Sequence, residues 1–297
     1  MGQFLFQMLH CVSFCGAIDT MGTGHREGAA MTVRINKVDR VAVVTIDRPQ
    51  ARNAVDPATA QALFKSFVAL DADDSVDVMI LTGAEGAFCA GFDLKTAADG
   101  SAAAWITDVD IPDDWTDPVT QPLAGPMGPS RLMLSKPVIA AIEGPAVAGG
   151  MELAAWCDLR VMAQGAVMGI YCRRWGVPLI DGGTFRLPRL AGQGRANDLI
   201  LTGRPVDAAE AQAMGLADRV VPQGQALSAA LDLAHALTRF PQGCMRADHL
   251  SARLPPADLA AALRREWASA SMFAAEGRSG AARFAGGHGR SGRFDDL

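Results

Sequence analysis

The sequence predicts an α/β fold, and three observations carry that prediction. Two short β-rich runs, "VAVVTI" (Val41 to Ile46) and "VDVMILTG" (Val76 to Gly83), flank a segment in which Leu63, Phe67 and Leu70 recur at helical spacing. The same order returns where "KPVIAAIEG" is followed by "GGMELAAWCD" and then "LRVMA". Beyond Val221 the strand patterns stop and helical ones follow. Strands alternating with helices build a sheet covered by helices.

The elements follow in order. "MTVRINKVDRVAVVTIDRP" from Met31 begins as an ordinary first strand, so residues 1–30 are expected to be an upstream extension, disordered or a non-native start. Within it "FLFQMLHCVSFCGAI" is apolar, but at about fifteen residues it falls short of the roughly 20 that span a bilayer. It also lacks the Lys or Arg that opens a signal peptide. Asp56 and Pro57 supply an N-cap and a first-turn proline for the first helix. Residues 96–135 are rich in Pro, Gly, Asp and small residues, and read as a mobile loop beside a site or a poorly ordered excursion. After Val221, Leu227, Leu231, Ala234 and Leu237 fall on one helical stripe, and "ADLAAALRREWASASMFAAEG" reads as one long helix with an Arg and Glu face. The tail "GRSGAARFAGGHGRSGRFDDL" is expected to fray. The boundaries are an extension over 1–30, a core over 31–225 and a helical oligomerisation region over 226–297. Helices with apolar stripes and no sheet of their own suggest packing against a neighbouring subunit.

With 297 residues, 49% of them apolar, the chain can bury a full core. A net charge of −5 and no long basic run argue against nucleic acid or an anionic membrane as the main partner. A small ligand is expected. Six cysteines with no CxxC pair, and five scattered histidines, make a zinc or disulfide framework an unsuitable reading; reduced cytoplasmic thiols are expected instead.

Two stretches carry the chemistry. "GAFCAGFDLK" (Gly86 to Lys95) follows the strand "VDVMILTG", and "GPAVAGGMEL" (Gly144 to Leu153) follows "KPVIAAIE". Each is a strand end leading through small residues to a helix start, which leaves backbone N–H groups free at a positive helix terminus. Two such termini can aim two donors at one oxygen and so form an oxyanion hole. Glu152, two residues past a glycine pair, falls on the first helical turn facing the same place, as a catalytic acid or as a complement to the helix terminus.

Together with "IDRPQARNAVD" (Ile46 to Asp56) and "GRPVDAAEAQAMGLADRVVP" (Gly203 to Pro222), these stretches occur in the order and with the content of the enoyl-CoA hydratase/isomerase, or crotonase, family. The resemblance covers roughly residues 33–285. It implies a crotonase-like spiral of ββα repeats with a C-terminal helical region, a homotrimer or dimer of trimers, acyl-coenzyme A thioester substrates and no separate cofactor. Carried over residue by residue, it implies oxyanion donors at the amides of Phe92 and Gly149 and an acid/base at Glu152. It also implies a coenzyme A edge around Ala51, Ala90, Asp93 and Lys95.

Family hydratases place a second glutamate twenty residues beyond the first, where this chain has Cys172. A thiol is a poor proton donor at neutral pH, so Cys172 reads as pocket lining and two-glutamate hydration is put in question. Asp181, in "PLIDGGT", is either a replacement carboxylate or part of an Asp-Gly turn. Arg173, Arg174 and Trp175 adjoin the pocket, as contacts to a polar acyl end or as an ion-paired surface. The expected activity is enoyl-CoA hydration or isomerisation; the alternative is an acyl-CoA-binding homologue that has lost turnover.

Overall fold

A computed structural model describes residues 31–289; the expectations for residues 1–30 and for the last part of the tail lie outside the described residues. The main sheet is built from β1 (Val33–Val38), β2 (Val41–Ile46), β3 (Val78–Gly83), β4 (Val138–Ile142), β6 (Leu159–Ala163) and β9 (Arg219–Val221), side by side in that order. Only β1 runs antiparallel, joined to β2 by a two-residue turn in which Asp39 takes φ 53°. A smaller sheet contains β5 (Ala146–Val147), β7 (Val167–Gly169) and β8 (Pro205–Asp207).

The helices of the core are α1 (Pro57–Asp71), α2 (Leu94–Ala98), α3 (Ala103–Asp108), α4 (Gly149–Trp156), α5 (Gly183–Ala191), α6 (Gln193–Thr202) and α7 (Ala208–Met214). Those of the C-terminal region are α8 (Ala226–Thr238), α9 (Gln242–Ala252), α10 (Pro256–Trp267) and α11 (Arg278–Ala285).

The bridges between the sheets trace the spiral. After β2 the chain pairs at Val55 with Phe92 and enters α1; after β3 it pairs at Cys89 with Ala146 and enters α2; after β4 it forms β5 and enters α4. Each turn is a long strand, a short strand and a helix. Single bridges, Val55 to Phe92 and Cys89 to Ala146, link one turn to the next.

Strand periodicity assigns the two faces of the main sheet. Ala42, Val44, Met79, Leu81, Ala140 and Ile142 pack against Leu63 and Phe67 of α1. Val41, Val43, Val78, Ile80, Ile139 and Ala141 face Ala230, Leu233 and Ala234 of α8. A sheet covered on both sides reads as a continuous apolar run, as "VAVVTI" does. Full burial of Leu63 and Phe67 contributes about 2 kcal/mol each. Asp56 caps α1, accepting from the Thr59 amide at 2.8 Å, with Pro57 in the first turn.

Several expectations are corrected. The C-terminal region is not without a sheet, because α8 closes the outer face of the main one. Its buried stripe runs through Ala226, Ala230, Leu233 and Ala234, while Leu227 is 38% exposed: alanines let the helix approach a sheet already filled with branched side chains. The predicted long helix is broken after Trp267 and resumes through a π-turn, Phe273–Gly277, into α11, so part of the tail expected to fray is helical and buries Gly280 and Ala281.

The 96–135 segment carries the end of α2 and all of α3, and its remaining loop packs on α10. Ile111 and Trp115 join a cluster with Phe185, Leu259 and Leu263. Arg264 donates to the Trp115 carbonyl at 2.6 Å, and the Trp267 indole donates to Asp110 at 2.6 Å. Among the described residues no helix is long and apolar enough to cross a membrane.

Candidate functional site

The two glycine-bearing turns meet back to back. Gly91 takes φ 94°, and a Cβ there would lie 2.8 Å from Cβ of Ala148 and 3.0 Å from the Gly149 amide nitrogen. A Cβ on Gly150 would lie 2.1 Å from the Cys89 carbonyl oxygen. Only glycine lets the turns come this close. Between them Ala148 adopts φ 53° and ψ −127°, a strained conformation for a residue with a Cβ.

The neighbouring amides of Val55, Ala90, Asp93, Val147 and Ala148 all find backbone acceptors. Those of Phe92 and Gly149 find none among the described residues. Both residues line one cavity of about 580 Å³. Asn53, fully buried at φ 58°, fixes the first turn from below: its amide donates to the Ala84 and Ala87 carbonyls at 2.8 Å and its oxygen accepts from the Arg48 amide at 3.0 Å.

At the cavity floor stands Glu152, 3% exposed, projecting from the first turn of α4. One of its oxygens, Oε1, accepts both the Asp181 and the Gly183 amides at 3.0 Å. This leaves Oε2 without a protein donor among the described residues. Burial, and then the negative charges of Asp181 and Glu266, push the Glu152 carboxyl well above the usual carboxylate range, offset in part by the two amides.

Asp181 is also buried and lines the same cavity. Its Oδ1 accepts the Met127 amide at 2.9 Å and the Ser130 hydroxyl. Burial raises its pKa too, but the Ser130 and Met127 donors and the charges of Arg131 and Arg186 oppose that rise. Both acids are thus raised by burial, Asp181 against more opposing donors and positive charge than Glu152.

The turn reading of Asp181 holds as well: Gly182 takes φ 94°, and the segment leads directly into α5. Arg186 braces it, donating to the Asp181 carbonyl at 2.8 Å and the Ser130 carbonyl at 2.7 Å.

The other sequence-derived residues divide. Cys172 and Trp175 line the cavity, and the Cys172 thiol is pushed up to about 12, first by burial and then by the Glu152 charge. It remains protonated at neutral pH. Trp175 stacks edge-on against Phe284 at 5.3 Å, and Phe92 against Phe273 at 5.8 Å, so α11 and its π-turn close one wall. Arg174 stacks on Tyr171 at 3.8 Å, whereas Arg173 is exposed and donates to the Ile200 carbonyl.

Ala51, Ala90 and the exposed Lys95 border the cavity. Asp93 borders it too, but its carboxylate pairs with Arg48 at 3.0 Å and its amide donates to the Val55 carbonyl.

Sequence reasoning missed Met127, Ser130, Arg131, Arg186 and Glu266. None carries a local motif. Their effect depends on bringing the loop before β4, the segment before α5 and the end of α10 to one point.

Comparison with known proteins agrees with this geometry. The family model described as "Enoyl-CoA hydratase/isomerase" matches residues 36–273. The chain is 41% identical to the enoyl-CoA hydratase EchA19 of Mycobacterium tuberculosis, over 66% of this chain and 70% of that protein. It is 36% identical to a probable peroxisomal enoyl-CoA hydratase 1 of Arabidopsis thaliana, over 68% of this chain and 71% of the relative. Among solved structures, a carnitinyl-CoA hydratase from Mycobacterium avium superposes with a TM-score of 0.74 at 28% identity, covering 87% of this chain and 97% of that one. An enoyl-CoA hydratase from Mycobacterium smegmatis gives 0.68 at 31% identity, covering 82% and 99%. With these matches, a ββα spiral and paired free amides above a buried glutamate, the chain belongs to the enoyl-CoA hydratase/isomerase family.

Proposed function

We propose that the chain adds water across the double bond of an enoyl-CoA thioester, with Glu152 and Asp181 as the working carboxylates. One observation carries the reading: two buried carboxyls share a cavity with two free backbone amides. The amides of Phe92 and Gly149 receive the thioester oxygen and stabilise the enolate that forms there; removing one such donor typically costs on the order of 3 kcal/mol. Asp181, ionised, takes a proton from water as its oxygen bonds to the β carbon and the π electrons move to the thioester oxygen. Glu152, protonated, then delivers its proton to the α carbon. A proton passed from Asp181 to Glu152 restores the starting state. The reaction is redox-neutral and needs no cofactor beyond the thioester.

Cys172, protonated and buried, serves as lining, which leaves Asp181 in the role of the second acid. Ala51, Ala90 and Lys95 form the coenzyme A edge in this reading. It extends to a trimer or dimer of trimers and to a cytoplasmic setting. Exposed Leu201, Phe240, Leu250 and Met272 favour self-association, and buried free thiols at Cys89, Cys157 and Cys172 suit a reducing compartment. Light scattering at micromolar concentration tests the assembly, and a stable monomer would refute it.

The test of the chemistry is turnover of a short trans-2-enoyl-CoA, followed by loss of its conjugated absorbance. Glu152→Gln is expected to lose roughly 100-fold or more, and Asp181→Asn to fall between it and the unaltered chain. Full activity in Glu152→Gln ends the proposal. Movement of the double bond without uptake of solvent oxygen would select isomerisation, and thioester binding without any turnover would select the binding homologue.

A further inference from the structure

The segment from Asp181 to Thr184 is held by two carboxylates on alternate amides. Asp181 and Gly183 donate to Glu152, each at 3.0 Å; Gly182 donates to Oε2 of Glu266 at 2.6 Å and Thr184 to Oε1 at 2.8 Å. Glu266 is 5% exposed and lies in the last turn of α10. The Asp181 carbonyl is taken by Arg186, and a Cβ at Gly182 would lie 1.9 Å from that guanidinium. The strand of chain thus passes between fixed groups with no side chain of its own at the crossing.

We infer that Glu266 is a positioning residue of the site: by clamping the Gly182 and Thr184 amides it keeps those of Asp181 and Gly183 aimed at Glu152 and keeps Asp181 turned into the cavity. The inference rests on the proposed roles of Glu152 and Asp181. The bland alternative is helix capping, since Gly182 is the N-cap of α5 and has no side chain to cap with. Capping alone accounts for α5 but not for the interleaving of these amides with those that reach Glu152. It also leaves unexplained a third acid buried beside two others when an exposed cap would be cheaper to desolvate.

The charged groups around Glu266 are Glu152 on α4, Asp181 in the segment it clamps, Arg131 in the loop before β4 and Arg186 on α5. Removing or shortening Glu266 therefore alters both reach and charge, and two variants separate them. Glu266→Gln keeps the length and removes the charge, and one of its two amide partners then faces an NH₂ group. Glu266→Asp keeps the charge and falls short by one methylene.

Both variants, in the full chain, are assayed with a short trans-2-enoyl-CoA beside calorimetric binding of coenzyme A and a thermal melt. The expected result is a fall in kcat of about tenfold or more in each, with KM and coenzyme A affinity within about threefold of the unaltered chain, as a small misplacement of a catalytic group produces. In Glu266→Asp the alkaline limb of the kcat profile should also move to higher pH, because Glu152 loses amide donors while the neighbouring charge stays. Unchanged kcat with an unmoved limb in either folded variant overturns the inference. So does a loss shared equally by coenzyme A binding, and so does failure of both variants to fold, which would assign Glu266 to the fold. Glu152→Gln in parallel tells the two ideas apart: if it keeps full turnover the proposed function falls first, and if it is silent while the Glu266 variants turn over normally, only this inference falls.

Discussion

The two halves of the site are built by opposite means. The amide half, Gly91–Phe92 with Ala148–Gly150, consists of two local strand-to-helix turns whose close approach depends on glycine. The carboxylate half gathers Glu152, Asp181 and Glu266 from three places in the chain; the donors to Asp181 come from a fourth, the loop carrying Met127 and Ser130, and those to the two glutamates from the Asp181–Thr184 segment. Backbone dipoles can be aimed by local conformation alone. Buried charges need partners, and partners come from wherever the fold brings them.

Substitution at the glycines should break the amide half with the largest effect. Gly150→Ala forces a Cβ against a backbone oxygen 2.1 Å away, so it is expected to destabilise by about 1–3 kcal/mol and to abolish turnover. At Gly149 the nearest atom is the Met127 sulfur at 2.8 Å, the end of a flexible side chain. Gly149→Ala should therefore fold, bind coenzyme A and lose activity only in part. Equal loss of stability in the two variants would mean that the turns do not depend on close approach.

The carboxylate half should respond to pH. Glu152→Gln keeps an oxygen for both amides and removes a buried carboxyl that can ionise, so it should melt no lower than the unaltered chain at neutral pH. The folded pKa of Glu152 is raised, so the unaltered chain loses stability as pH rises through that value while the variant does not. The difference in Tm should widen with increasing pH above the ordinary carboxylate range. A gap that narrows instead would show that the folded chain prefers Glu152 ionised.

Smaller effects sharpen the contrast. Ala148→Gly relieves a positive φ and should gain about 1 kcal/mol in denaturant unfolding. Cys172→Ala should leave kcat nearly unchanged, since a thiol with its pKa near 12 supplies no proton chemistry at pH 7; a large loss with folding intact would move the proton to the thiol.

What the sequence made legible follows the same division. β2, β3, β4, α1 and α4 announce themselves through periodicity and an Asp-Pro start, and the two glycine-bearing turns through runs of small residues beside a recognisable family order. Glu152 is readable because it sits one helical turn from those glycines. Glu266 is not, because 84 residues separate it from the Gly182 amide that it binds. In sequence it belongs to an exposed-looking Arg and Glu pattern. The stripe of α8 was misread for a related reason: leucines usually mark the buried face, but a helix lying close on a full sheet buries its alanines. Asp181 could be read two ways; the structure shows the turn and puts the residue on the cavity wall, and the glycines of that turn also give Glu152 and Glu266 access to the amides around it.

The cluster beneath the cavity also has an electrical consequence. Glu152, Asp181 and Glu266 face two guanidinium groups, buried Arg131 and half-buried Arg186. With every acid ionised, the set carries one negative charge too many for a region with little water, and a single proton neutralises it. Burial accordingly pushes all three carboxyls above the usual carboxylate range, so the folded cluster favours the bound proton more than an exposed carboxylate would.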